Sequence, residues 1–251
     1  MEPAEDNDSR RTGTAADETE VPVAPESARE YLGSQFGLMS RYVEHLATSA
    51  ISHGLIGPRE RESLWTRHVL NCAVLGEVIE PAADVIDVGS GAGLPGMVLG
   101  ISRPDLHVTL VEPLLRRSNW LSMVIEDLAL TNVTVRRDRA EDVHDLRADV
   151  VTSRAVARLD RLTGWCAPLV RAGGRVVAIK GATAQEELDE TREELVALGV
   201  VDARIAQCGI GVVDPPTTAV ELVFGSTTPG RAPKTGAGRK KQKSKNRRRS
   251  A

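Results

Sequence analysis

Ten residues constrain this chain more than any other stretch: Asp87-Val88-Gly89-Ser90-Gly91-Ala92-Gly93-Leu94-Pro95-Gly96. They hold four glycines between positions 89 and 96, after a short apolar run at Asp84–Val88 that reads as a strand. A helix pattern follows over Pro95–Ile101, with proline where a first helical turn tolerates it. Glycines between a strand and a helix let the backbone turn sharply and approach a ligand closely. Glu112 stands 21 positions beyond Gly91, at the end of the next strand pattern. An acid there can accept the ribose hydroxyl protons of an adenosine ligand. Counted from Gly89, the first glycine after the strand, the dinucleotide fingerprint G-x-G-x-x-G is not met, because its third glycine position is Leu94. A dinucleotide site and a tight turn without a ligand are the competing readings of the loop.

The rest of the chain fixes the fold around that loop. Strand patterns at Asp84–Val88, His107–Val111, Asn132–Val135, Asp149–Thr152 and Arg175–Ile179 alternate with helix patterns at Pro95–Ile101, Leu114–Leu128, Leu159–Val170 and Ala184–Leu198. Such alternation predicts βαβ units and a parallel sheet covered on both faces. Val201–Gln207 and Thr218–Phe224 follow with only a loop between them, which predicts a hairpin and an antiparallel strand at the sheet edge. Upstream, Leu32, Phe36, Met39, Val43 and Leu46 recur at helical steps, and a second run from Leu64 to Leu75 follows Gly57-Pro58. The expected division is an acidic disordered tail at 1–28, a helical unit at 29–82, an α/β domain carrying the glycine loop at 83–228 and a basic disordered tail at 229–251.

Charge is unevenly placed. The formal net charge of −3 conceals −6 on residues 1–30 and +10 on residues 229–251, leaving −7 on the segment between them. The basic tail predicts an electrostatic arm for RNA, since each phosphate contact releases counterions; a solubilising tail is the bland alternative. Aromatic residues make up 3% of the chain, which argues against a surface of stacking rings. Cys72, Cys166 and Cys208 lie far apart, without metal-ligand spacing, and fit a reducing cytoplasm. Neither a signal peptide nor a run of 18 apolar residues occurs, so a cytoplasmic protein without membrane contact is expected.

The spacing D-x-G-x-G-x-G resembles motif I of class I S-adenosylmethionine (SAM) methyltransferases. An aspartate at 87 suits a ligand with an ammonium and a sulfonium better than it suits a pyrophosphate. Gly-Leu-Pro-Gly at 93–96, Leu64-Trp65-Thr66-Arg67-His68-Val69-Leu70-Asn71, Arg139-Ala140-Glu141, Ser153-Arg154-Ala155 and Lys180-Gly181 narrow the resemblance further. Together they resemble the bacterial ribosomal RNA small subunit methyltransferase G family, also known as glucose-inhibited division protein B, over residues 31–226. The resemblance implies a Rossmann-like class I fold, SAM as cofactor, 16S rRNA of the small ribosomal subunit as partner, and methylation of N7 of the guanine conventionally numbered 527 in the 530 loop. It places the family's cofactor contacts on Gly89, Leu94, the Ala140-Glu141 pair and Arg154. Many relatives have Asp-Ser where this chain has Asn71-Cys72, so a role needing a carboxylate at 71 does not carry over.

Read from the residues, Gly89, Gly91, Gly93, Leu94, Glu112, Ala140, Glu141 and Arg154 form the expected cofactor site. Arg67, His68 and Lys180 are candidates for the target base or the RNA. For Arg154 an ion pair is the structural alternative, for His68 a core role, and for Lys180 a cap on strand carbonyls. Guanine N7 has a lone pair and no proton, so in-line transfer needs no general base, and strand four ends in Thr152-Ser153-Arg154-Ala155 with no NPPY-type loop. Arg116-Arg117, Arg136-Arg137, Arg139, Arg154, Arg158, Arg161, Arg171 and Arg175 are expected to supply a basic face. A monomer is expected. A non-catalytic RNA-binding or assembly protein, an NAD-dependent oxidoreductase and a methyltransferase of another substrate remain as alternatives.

Overall fold

The computed structural model describes residues 20–154 and 157–226. The basic tail, residues 1–19 of the acidic tail and Ala155 lie outside them. The expected tail over 1–28 nevertheless ends sooner than its composition indicates. Helix α1 spans Glu26–Leu32 and fully buries Ala28, while Trp65 donates from Nε1 to the Pro22 carbonyl at 3.0 Å.

Helix α2 (Phe36–His45) continues into a wide π turn at Leu46–Ala50. The second N-terminal run opens at Pro58 as 3₁₀ helix to Ser63, widens to π helix over Leu64–Leu70, and passes through α3 (Asn71–Ala73) to Val78. The expected periodicity holds, for Leu32, Met39, Val43 and Leu46 are all buried. Phe36 stacks on Trp65 with centroids 5.6 Å apart, closing the two runs on each other.

Then come β1 (Asp84–Val88), α4 (Gly96–Ser102), β2 (His107–Val111), α5 (Leu115–Asp127), β3 (Val133–Arg136), β4 (Ala148–Arg154), α6 (Leu159–Cys166), β5 (Val170–Ile179), α7 (Ala184–Glu190), α8 (Arg192–Ala197), β6 (Val200–Cys208) and β7 (Thr217–Phe224). The sheet order is β3-β2-β1-β4-β5-β7-β6, with β1 to β5 parallel. The antiparallel edge expected from the hairpin is the β6–β7 pair. Within it β7 runs against both neighbours and is inserted between β5 and β6.

Two helix patterns break where local chemistry opposes them. The pattern at 159–170 leaves the α form after Cys166, because Pro168 has no N–H to continue the ladder. The pattern at 184–198 divides at Thr191, whose hydroxyl donates back to the Glu187 carbonyl at 2.7 Å.

Strand residues alternate between two apolar layers. Val85, Val108, Leu110, Val150 and Val177 share one layer with α4, α5 and the N-terminal helices. Ile86, Val88, Val111, Val151, Val176 and Ala178 share the other with α6, α7 and α8. The N-terminal helices and the α/β domain thus meet in one core, and a boundary near residue 82 separates elements that are packed together.

Candidate active site

Connections from β1 run to β2 on one side and from β4 to β5 on the other, so a crevice opens at the carboxyl ends of β1 and β4, where open α/β sheets bind ligands. The glycine loop lies there. Gly91 and Gly93 have φ of +58° and +91°, a region that favours glycine. A Cβ on Gly93 would stand 2.3 Å from Met97 Cγ, whereas one on Gly91 would meet only the Gly89 carbonyl oxygen, at 3.9 Å. The loop is therefore packed tightly behind Gly93 and open in front of Gly91. Tyr42, fully buried on α2, donates to the Ala92 carbonyl at 2.6 Å and ties the loop to the N-terminal helices.

Asp87 is fully buried beneath this loop. Its Oδ2 accepts the Gly96 N–H at 3.0 Å, while its Oδ1 has no partner among the described residues. Burial pushes its carboxyl up to about 7, against the Gly96 N–H and the nearby Arg154, which pull it down. An orphaned buried oxygen is costly, and a ligand cation would relieve that cost.

Glu112, 2% exposed, accepts the Gly91 N–H at Oε2 (3.0 Å) and the Leu114 N–H at Oε1 (2.9 Å), with Arg117 3.8 Å away. Each oxygen keeps a lone pair for a hydroxyl. Its bond to Gly91 joins the ribose-type acid to the open side of the glycine loop. Ala140 and Glu141 open a 3₁₀ turn after β3, with Ala140 buried and Glu141 exposed. These features fit SAM: a pair of carboxylate oxygens beside the open face of Gly91 for the adenosine end, and a buried carboxylate for the ammonium end.

Arg154 ends β4 and meets the N-terminal unit. Its Nη1 donates to His68 Nδ1 at 2.9 Å, and His68 Nε2 lies 2.8 Å from Glu60 Oε2. Because Nδ1 accepts, the proton sits on Nε2 and is donated to Glu60, leaving a neutral imidazole with both nitrogens engaged. Burial, reinforced by Arg154, holds the His68 pKa below its ordinary value, and the bond from His68 pulls the Glu60 carboxyl down. Arg67 lies 3.9 Å from the same Glu60 oxygen. The structure thus joins Arg154, His68 and Arg67 in one cluster. Glu60 was not singled out from sequence, although its position eight residues before His68, close to two helical turns, carried the signal.

Lys180 stands apart from that cluster. Its side chain is 11% exposed, and its ammonium donates to the Ala157 carbonyl at 2.8 Å and pairs with Glu187 at 2.9 Å. That is a structural ion pair across β5 and α7, which leaves little of the charge for RNA. Three of the arginines expected on a basic face are taken up in ion pairs instead. Arg171 and Arg175 pair with Asp84, Asp149 and Glu80 toward the opposite end of the sheet from Arg154, and Arg136 pairs with Asp138 and Asp145. Sequence also missed a cleft of about 750 Å³ beyond β5, lined by Arg67, Asn71, Lys180, Asp214 and Thr217 among others.

The fold and the site define a SAM-dependent methyltransferase. A putative SAM-dependent methyltransferase from Methanococcus maripaludis superposes with a TM-score of 0.52 at 13% identity, covering 77% of this chain and 94% of that one, which speaks to the fold alone. The family model described as rRNA small subunit methyltransferase G matches residues 35–213, and the chain belongs to that family. It is 50% identical to the ribosomal RNA small subunit methyltransferase G of Mycolicibacterium gilvum (86% of this chain, 96% of that protein) and 50% identical to that of Thermobifida fusca (89% and 98%).

Proposed function

We propose that this chain methylates N7 of the guanine numbered 527 in the 530 loop of 16S rRNA, using SAM. The observation that carries the reading is the convergence of the glycine loop, Glu112, Arg154 and His68 at one edge of the sheet, in a chain half identical to proteins named for small-subunit rRNA methylation.

When bound, SAM supplies a methyl group on a sulfonium sulfur. The chain's own work is then to hold the two partners. Glu112, beside the open face of Gly91, holds the adenosine end, the Ala140-Glu141 turn borders the adenine, and Asp87 faces the ammonium. Because guanine N7 has no proton, no residue has to act as a base. His68 agrees with this, since its acceptor nitrogen is already taken by Arg154. Positioning of this kind contributes on the order of 7–11 kcal/mol.

The test mixes the protein with methyl-labelled SAM and unmodified small ribosomal subunits, then maps N7-methylguanine by borohydride–aniline cleavage. One stop in the 530 loop is expected; label at another nucleotide retains the enzyme class and discards the site. The basic tail completes the proposal as an RNA arm. Deleting residues 229–251 should flatten the salt dependence of RNA binding while sparing SAM affinity, and an unchanged slope removes the arm.

A further inference from the structure

We propose that the cleft beyond β5 seats the target guanine and that Asp214 accepts from its N1–H and exocyclic amino group, making Asp214 the residue that selects guanine. This rests on the reading that a guanine is methylated.

Strand direction places the cleft. β7 runs antiparallel to β5, so its first residues stand beside the carboxyl end of β5, where the Lys180 N–H donates to the Thr218 carbonyl at 3.0 Å. The loop before β7 therefore opens at the same end of the sheet as Arg154, two strands farther from β1. Arg67 lines the cleft one residue before His68, which contacts Arg154, so the cleft adjoins the cofactor crevice. Its volume of about 750 Å³ falls in the range of small-ligand sites.

Two polar groups there await a partner. Asp214 is exposed to the cleft's solvent and makes no hydrogen bond or ion pair to the described residues. Thr217 is 4% exposed, and its hydroxyl is buried without a partner among the described residues. The loop is nevertheless fixed: Gly209 N–H donates to Glu77 Oε2 at 2.9 Å, and the Val212 and Val213 N–H groups donate to the Gly209 carbonyl. An unpaired carboxylate on an anchored loop is preorganised for a ligand.

Guanine supplies the matching chemistry. Its N7 and its N1/N2 edge lie on opposite sides of the purine, so with N7 toward the β1–β4 crevice, the N1–H and amino group face the β7 loop. An ionised carboxylate only accepts, and these groups only donate. Adenine would bring a lone pair at N1 against the carboxylate. Sequence-specific RNA recognition commonly reads splayed bases on this edge, and a site built to hydrogen-bond a group rejects the analogue lacking it.

The experiment measures kcat/KM with labelled SAM on small subunits reconstituted with guanosine or inosine at the target position, inosine lacking the amino group. The wild-type protein should be about 10- to 100-fold slower on inosine. Asp214→Ala should lose a similar factor on guanosine and bring the guanosine/inosine ratio toward one, with SAM affinity unchanged by calorimetry. Should that variant lose SAM binding through misfolding, the near-isosteric Asp214→Asn should still show a reduced ratio. A wild-type ratio in the folded variant overturns the proposal. So does a wild-type protein that methylates both targets equally, while leaving the guanine-methylation reading intact. A wild-type protein that leaves the guanosine target unmethylated overturns that reading first, and this one with it.

Discussion

The two ends of the crevice are built in different ways. The cofactor end comes from one continuous stretch, Asp87–Gly96, joined by a single distant carboxylate, Glu112, that closes on the Gly91 amide. The cleft end is assembled from separate pieces: the π turn bearing Arg67, the end of β5 and the loop before β7. The first is preorganised by hydrogen bonds within its own backbone and to Tyr42, Val111 and Glu112 around it, the second by tertiary packing among elements distant in sequence. Perturbing the first should therefore act through local strain and ligand affinity, and perturbing the second through turnover and base choice.

The largest effect is expected behind the glycine loop. Gly93→Ala adds a Cβ at φ +91° and 2.3 Å from Met97 Cγ. Left-handed strain and overpacking together should remove about 2–5 kcal/mol of stability, read by urea unfolding. A loss within about 0.5 kcal/mol would mean that the loop's conformation is not held as described.

Glu112→Ala comes next. It leaves the Gly91 and Leu114 amides without their acceptor and takes away the proposed ribose partner. SAM affinity should fall by about 10- to 100-fold, and equal affinity by calorimetry would take Glu112 out of the site. At the junction of the two ends, His68→Ala frees Arg154 and Glu60 together. We expect kcat to drop about tenfold, one lost charge-assisted hydrogen bond, with a smaller change in SAM affinity. His68→Asn, whose carbonyl can still accept from Arg154, should recover part of it. A drop in stability alone, with kcat intact, would make the cluster merely structural.

These differences also explain what the sequence reveals. The strand–glycine–helix unit was legible because the turn and the proline are set by nearest neighbours in the chain, and the acid 21 residues on follows from the near-fixed length of one strand–helix–strand unit. The alternating layers and the hairpin were legible for the same reason, since a two-residue period marks which face is buried. Lys180 was not legible, because its partner Glu187 lies across a loop on α7 and only packing brings the two within 2.9 Å. Neither were the scattered arginines, whose pairing with Asp84, Asp149 and Glu80 depends on strand register. Asp214 and Thr217 reach the cleft only because β7 inserts antiparallel beside β5, and no local pattern announces that insertion.

The smallest expected effect is also the one that most directly tests what the buried carboxylate is for. Asp87 has its carboxyl raised to about 7 by burial, so the folded protein holds a proton there that the unfolded chain, with an ordinary carboxylate near 3.8, gives up. Its contribution to stability is thus fully present below that ordinary value and declines as pH rises toward 7. Ligand binding runs the other way. An ammonium favours the ionised form, so SAM affinity should climb as pH rises through about 7 and level off above it, by no more than about tenfold per pH unit. Asp87→Asn retains an oxygen for the Gly96 N–H but cannot ionise. The ligand's own amino group titrates equally in both proteins, so the difference between their calorimetric pH profiles isolates Asp87. Parallel profiles from pH 6 to 8 would show that the carboxylate only braces the turn, and the adenosine side alone would then account for affinity at this end of the crevice.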